Sequence, residues 1–491
     1  MNILKIRPLY ILAAAIFINI VLHLPFINQG PRSVHVWRQS NTLAVARNFY
    51  LEDMNILKPR VDRRLNTNGV TGMQFPSYEF ALASLYKIFG EHNYLHRALS
   101  LLISTIGIIA MFLLAKLLLK NELAAAFSAL AYTFSPDLFY FGFTALPDIL
   151  ALACSVLGLF LFTKWFLHSD KCIYYISALL MLVLAGLTKI QFLAVGFFIA
   201  PLIFQNISIA KRKLIYLIPF GIACVAIPVS WYIYSVDLIK SSGLYDFGIT
   251  FRPVNDFNLG INTITQNLIS DLPDILLNYA SFILFLISIY FFFKNKFWQS
   301  KWFLPMLFYT IALLAYHVIE LNQMKVHSYY MMPYLPVLFL MIAYAVRELQ
   351  KFKWSYYLLF ALLFLEPALA SIRILPSRFL SDNPGIPKEL YSDVSSNKLS
   401  SSVPPNQLSI VGPDISGCIY FYHLRQKGFG FDYSNQLFEM HGEVPYIEFC
   451  IQNGAKYLFS NDSTLKTNNN LAPYIETLVI TEGDFFVYKL H

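Results

Sequence analysis

Apolar runs of about twenty residues recur along this chain and limit what it can become. Each is long enough to cross the ~30 Å hydrocarbon core of a bilayer as a helix, the one single-segment structure that satisfies its own backbone where water is absent. Such runs lie near 8–27, 97–119, 122–142, 147–167, 214–234, 275–294, 302–320, 329–348 and 354–373. The stretch 173–205 is long for one helix and short for two. Of 491 residues, 57% are hydrophobic and 13% charged, against roughly 25% charged in soluble domains. The chain is a membrane protein.

The charges resolve the ambiguous stretch. If 173–205 crosses twice, the loops holding Lys5/Arg7, Lys116/Lys120, Lys164/Lys171, Lys211/Arg212/Lys213, Lys294/Lys296/Lys301 and Arg347/Lys351/Lys353 all face one side. Short basic loops stay in the cytoplasm. The expected fold is an all-α polytopic bundle of about eleven transmembrane helices, N-terminus inside, with the chain from about 374 outside. The net charge of +8 is thereby absorbed largely by orientation, and no nucleic-acid partner is expected.

The expected organisation is a membrane domain over 1–373 with a first external loop at 28–96, a linker rich in Ser, Asn, Asp and Pro over 374–406, and an extracytoplasmic domain over 407–491. In the tail, "LSIVG", "AKYLFS" and "FFVYKL" read as strands, and "ISGCIYFYHLRQK" and "VPYIEFCIQNG" as helices, which makes it a small α/β domain. In the first loop, apolar stripes with one polar face around 41–53 and 77–90 suit helices lying in the membrane interface. Neither half of the chain repeats the other. The five cysteines show no metal-ligand spacing; Cys418 and Cys450 can pair if close in space, which spacing does not decide.

That first loop carries Arg32, Arg38, Arg47, Lys58, Arg60, Arg63, Arg64 and Lys87 among few acids, interleaved with Trp37, Tyr50, Tyr78 and Tyr86. A solvated face is one reading. The other is a seat for lipid phosphate, since the guanidinium fork matches phosphate oxygens; if that lipid is a polyprenyl phosphate carrying a sugar, the phosphate is also the leaving group, and the cations would stabilise its developing charge. Asp148 follows Pro147 at a span's outer end, where a carboxylate serves as a helix cap, as a base, or as both. Lys189 interrupts an apolar stretch and either snorkels or serves a site. "KVHSYYMMPYLP" puts His327 and Tyr330 at the mouth of the tenth span, where an aromatic belt is the simpler account. There is no phosphate-binding glycine loop, dinucleotide fingerprint, zinc spacing or Gly-x-Ser-x-Gly elbow, so soluble-nucleotide chemistry finds no support.

The ordered motifs "HVWRQSNT…ARNFY", "NILKPRVD", "GMQFPSYEFALASLYKIFG", "LHRALSLL", "SPDLFYFGFTALPD", "LTK" and "HSYYMMPYLP" resemble the dolichyl-phosphate-mannose-protein mannosyltransferase-like family of the GT-C superfamily, over roughly 8–350. The tail more weakly resembles the extracytoplasmic domain of bacterial members. The resemblance implies a GT-C bundle in a bacterial inner membrane, a polyprenyl-phosphate-linked sugar as donor, inversion at the sugar carbon, and no cofactor or metal. The acceptor is a lipid, glycan or protein. Relatives place an acidic residue, often Asp-Glu, at the start of the first loop helix, where this chain has Arg38 and Gln39. Where they carry Glu before the loop's proline, it has Gln74 ahead of Phe75 and Pro76.

A glutamine can hydrogen-bond a hydroxyl but cannot take its proton. The expected catalytic groups are therefore Asp148, Arg38 and Gln74, with Arg47, Arg60, Arg63 and Lys189 on the donor phosphate. Trp37, Asp62, Glu79, His327 and Tyr330 would line the substrates, and Asp62 or Glu79 is an alternative base. The missing carboxylates keep open a non-catalytic glycolipid-binding subunit. A polyprenyl-linked glycan transporter is a further alternative, although the unusual residues cluster at one face rather than at paired broken helices.

Overall fold

In the computed structural model, which describes residues 7–244, 253–254 and 256–491, the apolar runs are helices. Among the described residues six are long and apolar enough to cross a membrane: Pro8–Phe26, Asn93–Leu119, Asp148–His168, Leu214–Ser242, Ser328–Leu349 and Ser355–Phe379. A seventh is added if Phe257–Leu276 and Ala280–Lys294, bent by 118°, count as one. Cys172–Thr188, Ile190–Gln205 and Phe303–Ile319 are apolar but shorter. The chain divides into two compact units: Met1–Asn28, His96–Ile233 and Gly248–Ser377 form the first, and Gln29–Leu95, Tyr234–Phe247 and Arg378–His491 the second.

In the first unit the helices break at identifiable residues. Run 122–142 starts at Asn121, whose side chain caps the Ala124 amide at 2.8 Å. It breaks before Pro136, which forces Ser135 out of the helical region (ψ 124°) and restarts the chain as Pro136–Phe141. The stretch 173–205 divides at Lys189, extended at φ −156°, ψ 114°. Helices Asp148–His168 and Cys172–Thr188 approach so closely at Gly158 that a Cβ there would lie 2.7 Å from Leu182, the small-residue contact that packs helices in lipid. At the 118° bend, Glu366 accepts from Asn278 Nδ2 (3.1 Å) and Ser281 Oγ (2.6 Å), and Arg373 Nη1 donates to Asn278 Oδ1 (3.0 Å).

Among the described residues the second unit has seven strands: β1 Leu408–Val411, β2 Lys427–Gly430, β3 Met440–His441, β4 Val444–Pro445, β5 Ala455–Ser460, β6 Ile475–Glu482 and β7 Phe485–Leu490. β3 and β4 form a hairpin, and the others a sheet in the order β2-β1-β5-β7-β6, parallel through β2, β1 and β5 and antiparallel at β7 and β6. Because strand side chains alternate, neighbours go to opposite cores. Val411, Phe459, Phe485 and Val487 join one, and Ile410, Leu458 and Phe486 the other.

Residues 386–403, linker-like in composition, carry the helices Lys388–Tyr391 and Asp393–Ser400, whose Leu390 and Leu399 enter the first of these cores beside Ile386 and Val403. The first external loop belongs to the same unit. Val36 and Trp37 pack into that core, and residues 62–65 lie along β2, with Arg64 and Leu65 amides donating to Gly428 O and the Gly428 amide donating to Asp62 O. Gly428 has φ +135°, and a Cβ there would sit 2.5 Å from Ser409 O. Helix Val36–Leu51 is enclosed: Arg38, Gln39, Asn41, Arg47 and Asn48 on its polar side are all buried. Cys418 and Cys450 are free thiols.

Two ion-pair nodes fasten this unit. Glu91 bridges Arg47 Nε (2.9 Å) and Arg425 Nη1 (3.0 Å), while Arg47 Nη1 donates to Tyr422 O at 2.8 Å. Glu52 takes both terminal nitrogens of Arg64 (3.2 and 3.1 Å) and also Lys427. Burial alone would raise both carboxyls, but Arg64 and Lys427 around Glu52, and Arg47 and Arg425 around Glu91, hold them below the usual range. Breaking a buried pair leaves an uncompensated charge, so Arg47→Ala is expected to cost about 3 kcal/mol, read as a lower unfolding midpoint of the solubilised chain. His423 is held down to about 3 by burial, then by Arg47 and Arg32. Between pH 6.5 and about 3 the unfolded chain therefore binds a proton that the folded unit does not, and stability falls as pH drops, by up to ~1.4 kcal/mol per unit. The depressed carboxylates act only below their ordinary value of 4.5. The loss of midpoint from pH 7 to 5 should accordingly shrink in His423→Gln.

Candidate active site

Asp148 is placed by a loop that is itself held from an apolar helix. Arg97, buried in Asn93–Leu119, must find acceptors where water is thin. Its Nη1 donates to Phe143 O at 2.8 Å and its guanidinium lies 5.2 Å from the Phe143 ring centroid. Ser100 Oγ donates to Thr144 O at 2.6 Å. These contacts set "FGFTALP" ahead of the helix Asp148–His168, so Asp148 enters in its first turn, where the helix dipole favours negative charge.

The Asp148 carboxylate is fully buried, and neither oxygen accepts a hydrogen bond among the described residues. Lys189 Nζ is 3.7 Å from Oδ1, close enough for strong attraction at low dielectric but beyond hydrogen-bond length. Lys189 reaches this position because the chain is extended there, and its ammonium also lies 5.2 Å from the Tyr330 ring centroid. Buried carboxylates ordinarily accept hydrogen bonds; among the described residues this one accepts none.

A third interruption completes the group. The 3-10 turn Ser328–Tyr334 is tied down by Ser328 Oγ donating to Asp137 Oδ1 (2.9 Å) and by Tyr316 OH donating to Tyr330 O (3.1 Å). His327 stacks on Tyr329 and Tyr330 at 5.4 and 6.0 Å. The same turn borders a cavity of about 520 Å³, lined by Met331 and Tyr334 and by Leu272, Phe292, Met306, Thr310 and His317. Its lining is almost wholly apolar, and Leu268, Leu314 and Val318 on it are exposed at the surface of this unit.

In the second unit most of the loop cations are engaged within it. Besides Arg47, Arg60 pairs with Glu52 (3.6 Å) and Asp53 (3.4 Å). Arg63 reaches Asp432 and Gly430 O, each at 3.4 Å, in a cradle formed at Gly417 and Gly430, where a Cβ would lie under 3 Å from its guanidinium. Asp62 accepts from Asn48 at 2.8 Å. Gln74 Nε2 donates to Glu79 Oε1 at 3.2 Å, both buried. Trp37 packs on the core and its carbonyl accepts from Cys418 Sγ at 3.1 Å. Arg38 is buried with Nη2 unbonded among the described residues.

Asp148, Lys189, Tyr330 and His327 thus come together in the first unit, while the loop residues belong to the second. Arg97, Ser100 and Asp137 carry no role in the sequence-based account. A charged residue inside an apolar run was the available signal for Arg97 and Asp137; a serine such as Ser100 gives none.

Residues 74–232, which include Arg97, Asp148 and Lys189, match the family model described as dolichyl-phosphate-mannose-protein mannosyltransferase. No curated protein matches the sequence. Among solved structures the chain is similar to ArnT from Cupriavidus metallidurans bound to undecaprenyl phosphate, with 12% identity, TM-score 0.61 and coverage of 98% of this chain and 97% of that one. It is also similar to the apo oligosaccharyltransferase of Archaeoglobus fulgidus (14% identity, TM-score 0.56, 93% and 70%) and to AglB from the same organism in complex with an inhibitory peptide and a dolichol-phosphate (13%, 0.57, 94% and 70%). The chain is therefore similar to dolichyl-phosphate-mannose-protein mannosyltransferases over residues 74–232 and shares, along nearly its whole length, the fold of these solved structures.

Proposed function

We propose that this chain is an inverting glycosyltransferase that moves a sugar from a polyprenyl-phosphate carrier to a cell-envelope acceptor. It would work on the extracytoplasmic face of a bacterial inner membrane crossed eleven times, with the N-terminus in the cytoplasm. The observation that carries the proposal is the buried Asp148 carboxylate, free of hydrogen bonds among the described residues and 3.7 Å from Lys189.

An acceptor oxygen attacks the anomeric carbon as the bond from that carbon to the phosphate oxygen breaks. The electron pair goes to the phosphate, whose charge grows by one. Lys189 stabilises that charge, an interaction stronger in the transition state than before it. The acceptor proton passes to Asp148, whose lone pairs are open to receive it. Gln74 cannot take this role, and Asp62 is already bonded to Asn48. The cavity beside Tyr330 suits the isoprenoid chain, since its lining is apolar and its exposed edge consists of Leu268, Leu314 and Val318.

The test is reconstitution in nanodiscs with polyprenyl phosphate carrying radiolabelled mannose or glucose. Asp148→Asn should lower kcat about 10²- to 10⁴-fold with the donor KM within about twofold. Lys189→Met should raise the donor KM at least about tenfold, with partial rescue in Lys189→Arg. Polyprenyl phosphate release that persists unchanged in Asp148→Asn removes Asp148 as the base. Donor binding without release in the wild type points to the non-catalytic alternative. Thr310→Trp, which fills the cavity, should weaken a long-chain donor about tenfold through lost apolar burial and leave a short-chain donor unaffected.

A further inference from the structure

The second unit holds another cavity, of about 410 Å³, within the ~300–1,000 Å³ typical of small-molecule sites. Arg47, Asp62, Arg425 and Lys427 supply its polar wall. Leu51, Pro404 and Pro405 supply an apolar one. We propose that this cleft is a saccharide subsite that holds a neutral, hydroxyl-rich segment of the acceptor, an inference that rests on the glycosyl-transfer reading above.

The charges argue against an anionic occupant. Arg47 and Arg425 already share Glu91, and Lys427 is matched by Glu52, which also binds Arg64. A carboxylate or phosphate would have to compete with these pairs. A sugar hydroxyl would not, because it both donates and accepts. Arg47 spends Nε and Nη1 on Glu91 and Tyr422, leaving further N–H groups of the five on a guanidinium, and a carboxylate such as Asp62 has about four lone-pair sites, of which Asn48 takes one.

The apolar wall completes the match. Pyranose rings present C–H faces, and proline, with no N–H, offers a ring of C–H to meet them. Two cleft residues, Asn406 (φ 64°) and Arg425 (φ 54°), are non-glycine residues in the left-handed region, a conformation that recurs at ligand clamps.

The test presents the full-length chain in detergent to an array of neutral and acidic oligosaccharides. Ser401→Trp puts an indole into the cleft without touching an ion pair, and Asn469→Trp, at an exposed site elsewhere, serves as control. Neutral glycans should bind the wild type and the control equally, and at least tenfold more weakly to Ser401→Trp, whose unfolding midpoint stays unchanged. Binding of acidic glycans alone, binding of none, or binding indifferent to Ser401→Trp overturns the proposal. The array reads no turnover, so a failure of sugar transfer in the reconstituted assay is registered separately.

Discussion

Within an apolar slab every backbone group released from a helix must be bonded again, and the first unit is organised around that demand. Its helices are interrupted at 142–147, at Lys189, at the 278–279 bend and at 328–334, and side chains secure three of these directly. Arg97 and Ser100 take the carbonyls of Phe143 and Thr144, Asn278 and Arg373 hold the bend, and Tyr316 and Asp137 hold the turn before Leu335. These are costly polar groups to place among apolar helices, and each is accounted for by the interruption it serves. Asp148 and Lys189 differ in this respect: they lie 3.7 Å apart, and neither Asp148 oxygen accepts a hydrogen bond among the described residues.

The cations of the first external loop show how composition misleads about site chemistry. Counted along the sequence, they form a basic surface. In the folded unit Glu52, Glu91, Asp53 and Asp432 pair with Arg47, Arg60, Arg63 and Arg64, three of these acids coming from the loop itself and one from the tail. A charge tally cannot foresee this, because partners such as Arg63 and Asp432 lie 369 residues apart. Partnering of this kind orders a loop, and it explains why 62–65 lies as a short ladder beside β2.

Much of the architecture was legible. Length and hydropathy place the apolar helices, but run 122–142, expected unbroken, breaks before Pro136, and the division of 173–205, expected from the loop charges, falls at Lys189. Alternation in "SIVG" and "YLFS" separates the two faces of the sheet, as Ile410 and Val411 confirm. Three features were beyond sequence. The burial of the polar side of Val36–Leu51 depends on the tail, the entry of 386–403 into a core depends on strands that follow it, and the pinning of Asp148 depends on Arg97, fifty-one positions before it. Each rests on a long-range contact, to which local periodicity is blind.

The proposed chemistry also gives the bare ion pair a reason to be bare. A carboxylate saturated by donors would be stabilised as an anion and would make a poor base. In the proposed reaction the Asp148 oxygens, which accept no hydrogen bond among the described residues, keep their lone pairs for the acceptor hydroxyl, while Lys189, 3.7 Å from Oδ1 and beyond hydrogen-bond length, would meet the donor phosphate. Proton acceptor and phosphate ligand would then stand side by side, as a transfer that moves a proton and a phosphate charge in one step requires.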